Sequence, residues 1–285
     1  MTARALVLLA AGAGALVPAP LGFSFSVSGL LFPYHIGVAD RLRESGLLSD
    51  ATPLQGASGG ALAACVAAAN LPVADALEAS IEIAERCNAK GGGFWNLGPV
   101  LRAVLDGSVG CDIIGAETHR VLTDRASPAN VSYTAIGASP FLNKRTAAHF
   151  SSRQDLVDVL CASCHIPLYS GLNPVVSVRG ELALDGFYSG PASNLGMQPT
   201  SAVRTVRISP FRKYHQDGLD VIPQSTESLG ADQAELVQWA LGFPKAPTRP
   251  QQLKLFQAGR DAAEQWEQLT ASGTVFADAD ALLLT

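Results

Sequence analysis

Gly56-Ala57-Ser58-Gly59-Gly60 is a G-x-S-x-G pentapeptide between a short extended stretch, residues 52–55, and an alanine-rich run, residues 61–69. The run consists of small helix formers and is halted by Asn70 and Pro72. Strand, glycine turn and helix in that order predict a nucleophile elbow at Ser58, with its hydroxyl projecting from a tight turn. Gly56, Gly59 and Gly60 flank it because a sharp turn against a close-packed helix leaves no room for side chains. The amides and dipole at the start of the helix are directed at the same point. In a chain with 27 glycines such a pentapeptide also arises by chance, and the bland alternative is a buried alanine helix after an ordinary turn. The flanks favour the elbow.

Working outward, residues 23–27 alternate apolar and polar side chains, predicting a first strand that breaks at Ser28-Gly29. Pro33 suits a first helical turn; Ile36, Ala39 and Leu42 mark one helical face, and Gly46 caps it. The first seventy residues thus spell a βαβα unit, hence a parallel sheet with crossover helices. Further on, residues 75–87 predict a helix and Gly91-Gly92-Gly93 a flexible linker, since no Gly-Lys-Ser/Thr follows to make a phosphate loop. Leu97, Val100, Leu101, Val104 and Leu105 lie at helical spacing, as a core stripe does. Residues 131–136, 147–150 and 203–208 have strand character, residues 155–164 are helical, and residues 174–184 are paired strands turned at Arg179-Gly180. The tail, residues 231–269, is helical in two pieces broken around residues 244–250.

With 285 residues the chain buries a full core. Hydrophobic content of 48% against 16% charged predicts more exposed apolar surface than usual, which suits a protein that meets lipid or a partner. A net charge of −5 excludes nucleic acid as an expected partner and speaks against polybasic attachment to anionic lipid. Five cysteines in a chain with a large core are expected to be buried thiols rather than a disulfide framework. No Asp or Glu precedes Asp40, and residues 5–17 are weakly hydrophobic after Arg4, so residues 1–20 read as a signal or transit segment, secretory or plastid. The expected division is 1–20 targeting, 21–215 catalytic and 216–285 a helical extension packing on the catalytic part.

A serine nucleophile needs a base and donors for its oxyanion. The turn Ser28-Gly29-Leu30-Leu31 offers backbone amides at a helix start, and adjacent parallel strands bring that turn and the elbow to one crevice. For the base, Asp185 then His215 would complete a Ser-Asp-His order, but the elbow follows only the second strand and His215 sits in a polar stretch. The alternative is Asp185 acting directly, placed with Gly186 in a turn after the strand-like residues 181–184.

Four segments resemble the patatin-like phospholipases, in particular the branch containing adipose triglyceride lipase. They are residues 25–38; residues 56–62; residues 162–171, leading to Leu184-Asp185-Gly186; and residues 206–211, with a tail at 256–263. The resemblance spans about residues 21 to 270, in order and at similar spacing. It implies a three-layer α/β fold, with a mostly parallel central sheet and helices on both faces. It also implies a Ser58–Asp185 dyad without histidine, an oxyanion hole at the Gly29 and Leu30 amides, and hydrolysis of acyl esters. The substrate would be lipid at a membrane or lipid-droplet surface, with no metal or cofactor, and a regulatory protein partner and the oligomeric state are left open. There are departures: Val27, Phe32 and Pro33 stand where the family's first loop is small, and Phe187 follows Asp185-Gly186 where Gly or Ala is usual. They leave open a second reading, a patatin-like lipid-surface binding protein that is weak or inactive. Cys161-Ala162-Ser163-Cys164-His165 also fits a haem-attachment pattern, but it runs straight into the family-like segment at Ile166-Pro167. Asp112 and His119 fit no metal-ligand spacing.

Overall fold

The computed structural model describes residues 21–110, 113–138, 141–212 and 221–272. The proposed targeting segment, His215, Asp112 and the end of the tail lie outside the described residues. Strand β1 (Leu21–Phe25) leads through a 3-10 turn at Gly29–Leu31 into α1 (Phe32–Glu44), whose first turn carries Pro33. Strand β2 (Leu54–Ala57) leads through Ser58 into α2 (Gly59–Ala68). Then come α3 (Val73–Ala89), α4 (Leu97–Leu105) and the short α5 (Thr118–Thr123). They are followed by β3 (Ala129–Ile136), β4 (Leu142–Ala147) and α6 (Arg153–Ser163). Strands β5 (Val176–Val178), β6 (Glu181–Leu184) and β7 (Arg204–Ile208) precede α7 (Gln233–Leu241) and α8 (Arg249–Ala271).

Seven strands form one mixed sheet in the order β5-β6-β3-β2-β1-β7, with β4 also on β3. Its centre, β3-β2-β1-β7, is parallel as the βαβα reading requires; β4, β5 and β6 pair antiparallel. Helices pack around the sheet in the three-layer α/β arrangement. Arg179 and Gly180 both have positive φ, 50° and 79°, the twist that closes a tight hairpin between β5 and β6. Helix α8 lies on α1 at backbone contact: a Cβ on Gly37 would stand 2.0 Å from Phe256 O, and one on Gly259 2.0 Å from Tyr34 O. Only glycine admits that approach, and Arg41–Glu267 at 2.7 Å with Arg260 on Asp40 and Glu44 then pin the pair.

Two local expectations change, and one element, α5, had no expectation. The strand expected at 147–150 lies earlier, because β4 is an edge strand whose exposed positions are Leu142, Lys144 and Thr146 and whose one buried residue is Ala147, which makes no apolar alternation. Helix α5 is too short to show a periodicity. Gly91-Gly92-Gly93 is a packed turn, not a flexible joint: Gly92 N donates to Cys87 O at 2.8 Å and Gly93 N to Gly242 O at 2.6 Å.

Candidate active site

The register of β3 decides what meets what. Along residues 131–136 one edge of β3 is taken by β4. Strands β2 and β6 therefore share the other edge, β2 pairing with residues 129–132 and β6 with 134–135. They approach head-on. Ala57, the last residue of β2, pairs with Ser132, and Leu184, the last of β6, pairs with Thr134. The next residues, Ser58 and Asp185, both fall at the gap opposite Tyr133.

Ser58 has φ 54° and ψ −129°, a conformation a serine holds only when its surroundings impose it. Its amide donates to Ser163 Oγ at 2.9 Å, and that hydroxyl donates to Ser132 O at 2.6 Å, tying the end of α6 to the turn. Its carbonyl accepts from Ala61 N at 2.9 Å and starts α2. Asp185 is clamped through its backbone: its amide donates to His165 O at 2.8 Å, and its carbonyl accepts from Thr134 Oγ1 at 2.9 Å. Phe187 N donates to Asp185 Oδ1 at 2.8 Å, while Oδ2 is buried with no hydrogen-bond partner among the described residues.

Burial pushes the Asp185 carboxyl from 3.8 up to about 7; the Phe187 amide and the Ser58 hydroxyl pull it part of the way back. Ser58 is thus close enough to act on the carboxyl, although no hydrogen bond of ordinary geometry joins them. A carboxyl poised near neutrality beside a strained serine is suited to accept that serine's proton. Cys164 lies beside both groups; burial and the Asp185 charge hold its thiol well above the usual range, so it is an inert wall.

The first loop presses against the elbow. A Cβ on Gly59 would stand 2.3 Å from Ser28 Oγ and 3.2 Å from Gly29 N. Gly29 itself has φ 51° and abuts Ala240 O. Leu31 N makes the first bond of the 3-10 turn, to Ser28 O at 3.0 Å, so the Gly29 and Leu30 amides precede it and have no acceptor within the turn. Ser58, Asp185, Gly29 and Leu30 all line one cavity of about 420 Å³. Its walls are apolar and come from Ala79 and Ile83 of α3, Leu101 and Val104 of α4, and Val237 and Leu241 of α7. The size and lining suit a small-molecule or acyl-chain site. The α4 stripe is therefore both core and cavity wall. Phe187 does not displace the aspartate: its amide holds Oδ1, and its ring packs edge-on to Tyr188 at 5.4 Å on the cavity wall.

No described histidine ring hydrogen-bonds to Ser58 or Asp185. His35 Nε2 pairs with Ser26 O at 2.9 Å, and burial lowers that ring to about 4. His165 Nε2 pairs with Asn173 O at 3.0 Å. Among the described residues no cluster of His, Cys, Asp and Glu is arranged to hold a metal ion. The sequence reading missed Ser163 and Thr134 as supports; Ser163 was visible only as part of a family-like segment. It also missed the cavity walls.

Residues 24–193 match the family described as patatin-like phospholipase. Over 207 residues, 70% of this chain, it is 30% identical to 1-acylglycerol-3-phosphate O-acyltransferase Pnpla3 of Mus musculus, covering 45% of that protein. It is 30% identical over 212 residues to patatin-like phospholipase domain-containing protein 4 of Homo sapiens, across 73% of this chain and 77% of that one. With human patatin-like phospholipase domain-containing protein 2, the adipose triglyceride lipase, identity is 28% over 211 residues, 72% of this chain and 38% of that protein. The chain spans less than half the length of the first and third of these relatives.

Proposed function

Since the chain belongs to the patatin-like phospholipase family, a family of lipid hydrolases and acyltransferases, we propose that it is a serine acyl-hydrolase of lipid esters. Ser58 would be its nucleophile and Asp185 its base. One observation carries the reading: the strained serine turn and the buried carboxyl converge head-on beside β3, at the wall of a single apolar cavity.

In the forward step Asp185 takes the Ser58 proton as Oγ attacks the acyl carbonyl. The Gly29 and Leu30 amides receive the developing oxyanion, an interaction worth roughly 3 to 4 kcal/mol per donor. As the intermediate collapses, the leaving alcohol takes the proton from Asp185, and the acyl group stays on Ser58. Water, giving a proton to the same carboxylate, then attacks the acyl carbonyl, and as the Oγ–acyl bond breaks Asp185 returns that proton to Ser58 Oγ and the acid leaves. An acceptor alcohol in water's place gives acyl transfer by the same intermediate, the activity printed in the name of one relative. Neither metal nor cofactor enters. The substrate is a triacylglycerol or phospholipid whose acyl chain occupies the cavity, with the enzyme working peripherally on a membrane or lipid droplet; no described helix is long and apolar enough to cross a membrane. In this reading residues 21–215 carry the chemistry and the tail supplies a wall through α7.

A fluorescent alkyl phosphonate tests the reading. Wild type becomes labelled on Ser58 and hydrolyses acylglycerol or phospholipid, Ser58→Ala does neither, and Asp185→Asn loses turnover. Folded wild type that resists the probe and hydrolyses no lipid ester overturns it in favour of a binding protein. Loss of activity in His215→Ala would restore a triad.

A further inference from the structure

Three segments distant in sequence, residues 88–96, 166–173 and 241–246, come together next to the start of α4 and the end of α7. The Phe94 ring lies 4.6 Å from Trp95, 5.5 Å from Tyr169 and 5.9 Å from Phe243, centroid to centroid. Trp95 N donates to Tyr169 O at 2.7 Å, its indole N–H donates to Leu168 O at 2.9 Å, and the Tyr169 hydroxyl donates to Leu241 O. The cluster is cross-tied, yet it faces outward: Phe94 is 40% exposed, Phe243 48%, Trp95 50% and Leu168 57%. Trp95 and Leu168 hold φ of 62° and 57°, the left-handed region that bulky residues avoid. Backbone strain here keeps large apolar side chains on the surface, where folding alone gains nothing from them.

Two further observations say what covers this surface. The three segments contain no Asp or Glu and two lysines, Lys90 and Lys245, in a chain where acids outnumber Lys and Arg by 25 to 20. Both lysines are exposed, and neither is in an ion pair among the described residues. A protein interface core excludes lysine, whereas a lipid surface accepts it, the stem lying along acyl chains and the ammonium reaching phosphate. Tryptophan and tyrosine favour the same polar–apolar boundary. The patch also lies next to the cavity: Leu97, which directly follows the first segment, and Ile166 and Leu241 of the other two line the cavity wall.

We propose that Phe94, Trp95, Leu168 and Phe243, flanked by Lys90 and Lys245, form the face by which the protein docks on a phospholipid surface. This rests on the acyl-hydrolase reading and names the partner of that site. Docking is separable from catalysis, so the experiment uses the full chain carrying Ser58→Ala. That protein should co-sediment with vesicles of phosphatidylcholine and phosphatidylserine in equal parts. Trp95→Ala with Phe243→Ala should weaken binding by roughly a hundredfold, about tenfold per side chain kept from the apolar layer. Lys90→Gln with Lys245→Gln should weaken it by roughly tenfold or more, but only on vesicles containing phosphatidylserine. With Ser58 restored, the aromatic variant should hydrolyse a water-soluble short-chain ester like wild type and lose activity on vesicle lipid, which shows that it is folded. Vesicle binding unchanged by the aromatic variant, or absent in the parent, overturns the proposal. So does a parent dimer that the variant converts to monomer, since the patch would then join copies of the chain. Patch-dependent binding without hydrolysis of any ester by the Ser58 protein would sink the enzymatic reading and leave the docking face standing.

Discussion

Asp185→Asn should make the protein more stable above neutral pH while abolishing turnover, and the size of the effect follows from the burial of one carboxyl. Burial moves that carboxyl from 3.8 to about 7, about 3 units, or roughly 4 kcal/mol of differential interaction at 1.36 kcal/mol per unit. The folded value lies above the unfolded one, so between them the native state keeps a proton that the unfolded chain has released. The stabilisation tied to that proton is complete below the unfolded value of 3.8 and lost as the pH rises through about 7. Asparagine has no such dependence. Its oxygen retains the bond from Phe187 N, but its NH₂ group takes the Oδ2 position, which has no partner, at a constant cost of about 1–3 kcal/mol. That constant cancels when two pH values are compared. Integrated from about pH 4.5 to about pH 8, the variant's stability relative to wild type should rise by about 3 kcal/mol. Urea unfolding of both proteins at both pH values measures this, because titrations common to the two subtract out. A stability difference that is the same at the two pH values would show that Asp185 is not a carboxyl kept protonated by burial, and the proton-acceptor argument would lose its physical basis.

The same carboxyl sets the rate profile: kcat/KM on a soluble ester should climb about tenfold per pH unit below about 7 and level off above it, leaving roughly a tenth of the plateau at pH 6. A profile flat from about pH 6 to 8 would assign the proton elsewhere. Ser163→Ala removes the hydroxyl that holds the Ser58 amide and Ser132 O; kcat should fall by about ten- to a hundredfold with KM little changed, and stability by about 1–3 kcal/mol. An unaltered kcat would mean that the turn keeps its geometry without that support.

The strand–turn–helix at Ser58, the parallel centre of the sheet, the hairpin at Arg179-Gly180 and the two tail helices were legible in the chain, because each is encoded by local chemistry. Glycines permit the turns, alternation marks β1 and β7, and 3.6-residue spacing marks α1, α3, α4 and α6. Strand β4 escaped that reading because only Ala147 of its six residues is buried and no apolar alternation marks it, and α5 because it is short. The meeting of Ser58 with Asp185 had no local signature. It depends on β4 occupying one edge of β3, which forces β2 and β6 to share the other and aims their ends at one gap. The sequence by itself determined which residue types stand at the turns and that a lipid-hydrolase family was the resemblance. Tertiary structure alone decided the raised carboxyl and the outward-facing aromatic patch, because burial and the neighbours of a side chain belong to the folded arrangement and to no stretch of chain read alone.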